Sequence, residues 1–112
     1  MYMALFVLDD PDRLDEVLAA WEKAGIAGVT IFETTGMRRM RQRSMVPARF
    51  VWPVVDREVS HLTLMAIVPS EQEVDTCLRE AERVVGDLSN PHTGIFASWP
   101  LTMVKGWRRE GP

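Results

Sequence analysis

One cysteine, Cys77, stands among 112 residues. That excludes an internal disulfide and any paired-cysteine metal motif. Tyrosine is also single, at Tyr2, and lysine is limited to Lys23 and Lys105 against eleven arginines. No apolar run approaches the roughly 18 residues that a membrane span needs. The opening MYMALFVLDD has no basic residue ahead of its apolar run, and acids follow at once. It is expected to be a first strand of a cytoplasmic protein, not a signal peptide. The glycine-rich phosphate motifs GxxxxGK[ST] and GxGxxG are missing, and no nucleophile motif is present. What remains, 46% hydrophobic and 26% charged, fits one ordinary globular domain over residues 1–112.

Positive charge is gathered in one place. Residues 34–50, TTGMRRMRQRSMVPARF, carry Arg38, Arg39, Arg41, Arg43 and Arg49 with no acid among them. The formal net charge is -3, so without those five arginines the chain stands at -8. A basic segment on an acidic body marks a surface for an anionic ligand or partner, or else a solvated loop.

The pattern along the chain predicts alternating strands and helices. Residues 2–8 are almost continuously apolar and suit a strand covered on both faces. Asp9 or Asp10 can cap the next helix, with Pro11 at its first position. Leu14, Val17, Leu18, Trp21 and Ala24 form its buried stripe, and Gly25 stops it. Trp21 on that stripe reads as core. Residues 26–34 are a second strand, again expected to be buried on both sides. Residues 35–57 form a connection long enough to suggest function or disorder. Within it, Pro47 and Pro53 keep the apolar run at 50–55 from being a central strand.

Residues 59–68 alternate most clearly, with Leu62, Leu64, Ala66 and Val68 on one face and His61, Thr63, Met65 and Ile67 on the other. Ser70 and Glu73 form a capping box. Val74, Cys77, Leu78, Ala81 and Val84 or Val85 make a second stripe, which Gly86 ends. Residues 87–92 are a turn-rich loop, 93–99 a fourth strand, 101–107 an extended or turn segment, and 108–112 a loose tail.

The two helical stripes superpose at an offset of 60 residues: Asp10 with Ser70, then Leu14, Val17, Leu18, Trp21 and Ala24 with Val74, Cys77, Leu78, Ala81 and Val84. Two strand–helix–strand units in tandem give an α+β, ferredoxin-like split βαβ fold (βαββαβ), an antiparallel four-stranded sheet with both helices on one face. The second face carries Met65, Ile67 and Tyr2 or Met3, too apolar for water, and a homo-oligomer closed on these faces is expected.

RLDEVLAAWEKAGIAGVTIFETTG (residues 13–36), VDTCLREAERVVGD (residues 74–87) and TGIFASWPLTMVKG (residues 93–106) together resemble the PII signal-transduction family, as a divergent PII-like member. The resemblance implies a homotrimer, a partner-contacting T-loop after the second strand, and nucleotide clefts between subunits. It implies ligand contacts at Thr35, Gly36, Arg38 and Arg39 of the T-loop base, at Gly86, His92, Thr93 and Gly94 around the loop after the second helix, and at Lys105 and Arg108. The outer loop residues Met40, Arg41, Arg43 and Arg49 would meet a partner enzyme or membrane transporter. ATP, ADP or AMP would be the ligand. Gly94 stands where the family carries a phosphate-facing lysine, and the loop tyrosine of its bacterial nitrogen sensors has no counterpart here.

Other readings compete. A small trimeric enzyme in the same cleft would use Glu33, an acid in an apolar strand. The copper-tolerance trimers share the fold, so fold alone does not decide function. A nucleic-acid binder is opposed by the acidic body and by the lack of paired strand aromatics. Metal binding by His61, His92 and Cys77 would require three distant elements to converge, so no metal site is expected. His92 in its turn contacts ligand or is simply solvated.

Overall fold

The computed structural model describes residues 1–34 and 61–107. Its elements run β1 (Tyr2–Leu8), a 3-10 turn (Pro11–Arg13), α1 (Leu14–Lys23), β2 (Thr30–Thr34), β3 (His61–Val68), α2 (Glu71–Val85) and β4 (Gly94–Pro100). The four strands form one sheet in the order β2-β3-β1-β4, and every neighbouring pair is antiparallel. This is the βαββαβ arrangement that the offset of 60 predicts.

Local chemistry explains how the helices start and stop. Asp10, not Asp9, is the cap: its Oδ1 accepts the Asp12 N–H at 3.0 Å. Pro11 then opens a 3-10 turn, and the α-helix proper begins at Leu14. Ser70 caps α2 with extended backbone, but its hydroxyl goes to the Glu73 carboxylate and not to a backbone N–H. The capping box is therefore closed side chain to side chain. Gly86 ends α2 at φ +94, a left-handed value that suits glycine.

The core lies between the sheet and the helices. Ala4, Phe6 and Leu8 of β1 and Leu64, Ala66 and Val68 of β3 are buried against Val17, Ala20 and Trp21 of α1 and Cys77 and Ala81 of α2. Trp21 is its largest member; the ring lies 6.4 Å from that of Phe6, and Nε1 donates to the Cys77 carbonyl at 3.1 Å. That bond satisfies the one polar atom of a buried indole and couples the two helices. Ala24 is exposed, because α1 ends at Lys23 and Ala20 takes the inner place. Arg13 also ties the helices: Nη1 meets Glu16 at 2.7 Å and Nη2 donates to the Val84 carbonyl at 3.1 Å.

Burial pushes the Cys77 thiol up to about 12, with the Glu73 charge adding to the effect. A thiolate fraction on the order of one in ten thousand at pH 8 follows, so aromatic disulfide reagents should modify Cys77 only as the domain opens. Completion within minutes on native protein, timed by absorbance, would contradict this placement.

Two strand expectations need correction. Among the described residues the helices cover only one face of β1, and β2 is an edge strand of the sheet, not a central one. Both helices occupy one side of the sheet. The cross-strand register therefore leaves Met3, Leu5 and Val7 of β1, Thr63, Met65 and Ile67 of β3, Thr30 and Phe32 of β2, and Ile95, Ala97 and Trp99 of β4 on the other. Apolar residues on this side explain the near-continuous hydrophobic runs. Ile95 is 65% exposed, and Phe32 and Trp99 are each 40% exposed. No helix among the described residues is long and apolar enough to cross a membrane.

Candidate functional site

The topology brings three connections to one end of the sheet, here called the loop end. β1 finishes there at Leu8, opposite Leu62 of β3 and Gly94 of β4. β2 finishes there at Thr34, opposite His61. The arginine-rich segment therefore leaves and re-enters the sheet at this end. α2 also runs back to it, so Gly86 and the loop to Thr93 lie beside the same strand termini.

Of the expected ligand residues, Gly86, His92, Thr93 and Gly94 meet at the loop end. Lys105 does not join them within one subunit. It sits between two anchors at the opposite end: the Leu101 amide donates to the Met1 carbonyl at 2.9 Å, and Trp107 Nε1 donates to the Ile67 carbonyl at 3.1 Å. Thr35, Gly36, Arg38, Arg39 and Arg108, and the partner-facing Met40, Arg41, Arg43 and Arg49, lie outside the described residues, as do the apolar run at 50–55 and the tail at 108–112.

The loop after α2 is internally satisfied. The Leu88 amide donates to Glu82 Oε2 at 3.0 Å, the Ser89 amide to Asp87 Oδ1 at 2.8 Å and the Asn90 amide to the Asp87 carbonyl at 3.0 Å. Thr93 Oγ1 closes the turn on the Asn90 carbonyl at 2.8 Å. Hydrogen bonds from Ser89, its amide first, hold the Asp87 carboxyl below the usual range. Three amides that could contribute to an anion nest, those of Leu88, Ser89 and Asn90, are thus occupied by the Glu82 carboxylate, the Asp87 carboxylate and the Asp87 carbonyl.

Two further residues belong to this end, and sequence reasoning did not select them as site residues. Asp9 continues β1 by one residue, which sets it across from His61 on the open side of the sheet. Its Oδ1 lies 3.1 Å from His61 Nε2. Its Oδ2 lies 4.0 Å from Nδ1 of His92, whose side chain is 91% exposed. The Asp9 amide reaches the Thr93 carbonyl at 3.5 Å. His92 holds φ +64, left-handed backbone that few residues other than glycine adopt. The signal for the pair was available: inward alternation aligns Leu8 with Leu62 and so sets Asp9 opposite His61. Glu33, the acid suggested for an enzyme, is exposed on the edge strand opposite Leu62, on the helix side of the sheet. Cys77 is on that helix side too, away from His61. Among the described residues, no group of three or more His, Cys, Asp or Glu side chains is arranged to hold a metal ion.

An aspartate beside a histidine orients the imidazole by fixing which ring nitrogen faces the carboxylate. The loop end thus offers one oriented imidazole, that of His61, an exposed one, that of His92, a carboxylate, and the strand ends that flank residues 35–60. The sequence matches no protein-family model and no curated protein.

Proposed function

We propose that this protein is a PII-like regulatory subunit that binds a small anionic ligand at the loop end and contacts a partner enzyme or transporter through residues 36–57. The observation that carries the reading is convergence. The end of β2 and the start of β3, which flank the arginine segment, lie at the same end of the sheet as the start of β4, where the loop after α2 ends. A ligand held there would bias the segment that a partner meets, which is the physical basis of coupling between two binding events.

The same reading makes the protein a homotrimer closed on its open sheet faces. The described strand residues on that face are uncharged, and the ionisable Asp9 and His61 stand only at its loop-end border. Water is a poor neighbour for such a surface, and a second copy presents the same chemistry. Three copies, not two, follow from the resemblance to PII proteins. The ligand would then sit in clefts between subunits, with an adenine nucleotide (ATP, ADP or AMP) as the leading candidate. With the Leu88, Ser89 and Asn90 amides engaged within the protein, Arg38 and Arg39 would read the phosphates as bidentate forks.

Titration calorimetry with ATP, ADP, AMP and cyclic nucleotides tests this. Arg38→Ala and Arg39→Ala should each weaken the best ligand by about tenfold or more, the usual scale for losing a charge-assisted hydrogen bond. If wild-type protein gives no binding with any nucleotide, the nucleotide part of the proposal is wrong.

One observation favours a second reading. The Asp9–His61 pair is an acid–base arrangement, and a small trimeric enzyme or a non-nucleotide ligand-binding protein could use it in the same cleft.

A further inference from the structure

β4 stands at an edge of the sheet, and among the described residues its strand neighbour is β1 alone. Free edges are commonly blunted with charge, internal proline or a bulge. β4 has none of these. Its sequence, GIFASWP, is uncharged, its proline is the last residue, and its register with β1 runs unbroken from Gly94 to Pro100. β2, at the other edge, is shorter and carries Glu33. Ile95, Ala97, Ser98, Trp99 and Pro100 are all exposed. We infer that the free edge of β4 pairs antiparallel with β4 of a second copy, about a two-fold axis at Ala97, so that two four-stranded sheets become one.

Backbone geometry decides which groups the edge offers. The Leu101 amide donates to the Met1 carbonyl and the Asp9 amide to the Thr93 carbonyl, so the odd-numbered residues of β4 bond inward, to β1. In an antiparallel ladder the residues between them then point N–H and C=O outward. Phe96 and Ser98 therefore each present a donor and an acceptor at the free edge. The register centred on Ala97 is the one that overlaps the whole strand. It sets Phe96 against the partner's Ser98, a large side chain beside a small one, with both backbone bonds exchanged. It sets Ile95, the most exposed large hydrophobic residue of the described strands, against the partner's Trp99, and such aromatic–β-branched pairs are favourable. Ala97 meets its own copy and is small enough for the close approach of a non-hydrogen-bonded pair. On the helix side an open groove of about 340 Å³, lined by Leu78, Leu88 and Phe96, adjoins this edge, and the partner's Pro100, opposite Gly94, would enter it. The pairing uses the edge and not the open face, so it is independent of the trimer proposed above. One added strand is a small contact beside the roughly 1,200 Å² of stable interfaces, so it should form only well above micromolar concentration.

Disulfide trapping on the full chain, at high protein concentration under mild oxidation, tests it. In Ala97→Cys the two Cα atoms would lie about 4.5 Å apart, within disulfide range. Ser98 and its own copy are only diagonal neighbours on the helix side, and Met103, 84% exposed, reports random collision. Ala97→Cys should therefore form covalent dimer at least about tenfold faster than Ser98→Cys or Met103→Cys, through its higher effective concentration. Cys77 is buried and does not compete. Adding Ser98→Pro to Ala97→Cys should remove the advantage, because it deletes an outward N–H and costs no bond to β1. Adding Met65→Glu, which charges the open face two strands away, should leave it. Equal rates for the three cysteine variants overturn the pairing. So does fast trapping that survives Ser98→Pro. Loss of trapping with Met65→Glu would assign the contact to the open face instead, which keeps the test decisive if Ser98→Pro does not fold.

Discussion

Gly94→Ala is expected to cost about 3–5 kcal/mol of stability, combining backbone strain with overpacking. Gly94 holds φ +146, a conformation that side-chain-bearing residues rarely adopt. A Cβ there would press into the Val7 carbonyl oxygen and lie 2.9 Å from the Phe6 ring. Neither neighbour can retreat easily. The carbonyl is part of β1, and Phe6 is fully buried in the core. For a domain of this size the loss corresponds to a fall in Tm of roughly 15 °C or more. Thermal denaturation followed by circular dichroism would measure it, and a shift of only a degree or two would mean that β4 does not approach β1 as described. The same result bears on the ligand reading. In the PII-like reading proposed above, Gly94 takes the place of a phosphate-facing lysine, yet it has a packing reason to be glycine. A lysine introduced at this position should therefore fail for steric reasons before its charge could be tested.

Leu5→Glu should convert the proposed trimer into a folded monomer. Leu5 lies near the middle of the open face, opposite Met65 on β3 and Ala97 on β4. In one subunit a glutamate there remains hydrated, so the fold should survive. In a closed assembly each copy would bury a carboxylate against apolar neighbours, at a cost of several kcal/mol per ion. Association should weaken by roughly a thousandfold or more. Light scattering at micromolar concentration should give a trimer mass for wild type and a monomer mass for the variant, with unchanged circular dichroism. A monomeric wild type would remove the intersubunit cleft, whereas a trimeric variant would move the interface elsewhere.

The fold was legible in the sequence because its repeat is carried by helices. Spacing fixes which side of a helix is buried, and the match of Leu14 through Ala24 with Val74 through Val84 required no knowledge of partners. Strand faces were harder. In β1 both sides are apolar and in β2 neither is uniformly polar, so alternation could not reveal that Met3, Leu5, Val7 and Phe32 lie on the face away from both helices. The candidate site was legible in part. Gly86, His92, Thr93 and Gly94 do gather at the loop end, because they lie in or beside one short connection. Asp9 and His61 were missed as a pair because register between distant strands decides their meeting. Asp9 also looked like a helix cap, a role that its neighbour Asp10 performs.

Thr34 and His61 are direct cross-strand partners, so the arginine segment begins and ends at a single point on the sheet. A connection tethered in this way can be lengthened, shortened or rewritten without asking any other strand to shift its register. The core of Phe6, Trp21 and Leu64 is built from β1, α1 and β3. Selection can therefore alter what the protein recognises while leaving its frame untouched, and two descendants of one frame could serve unrelated partners after exchanging only this insert.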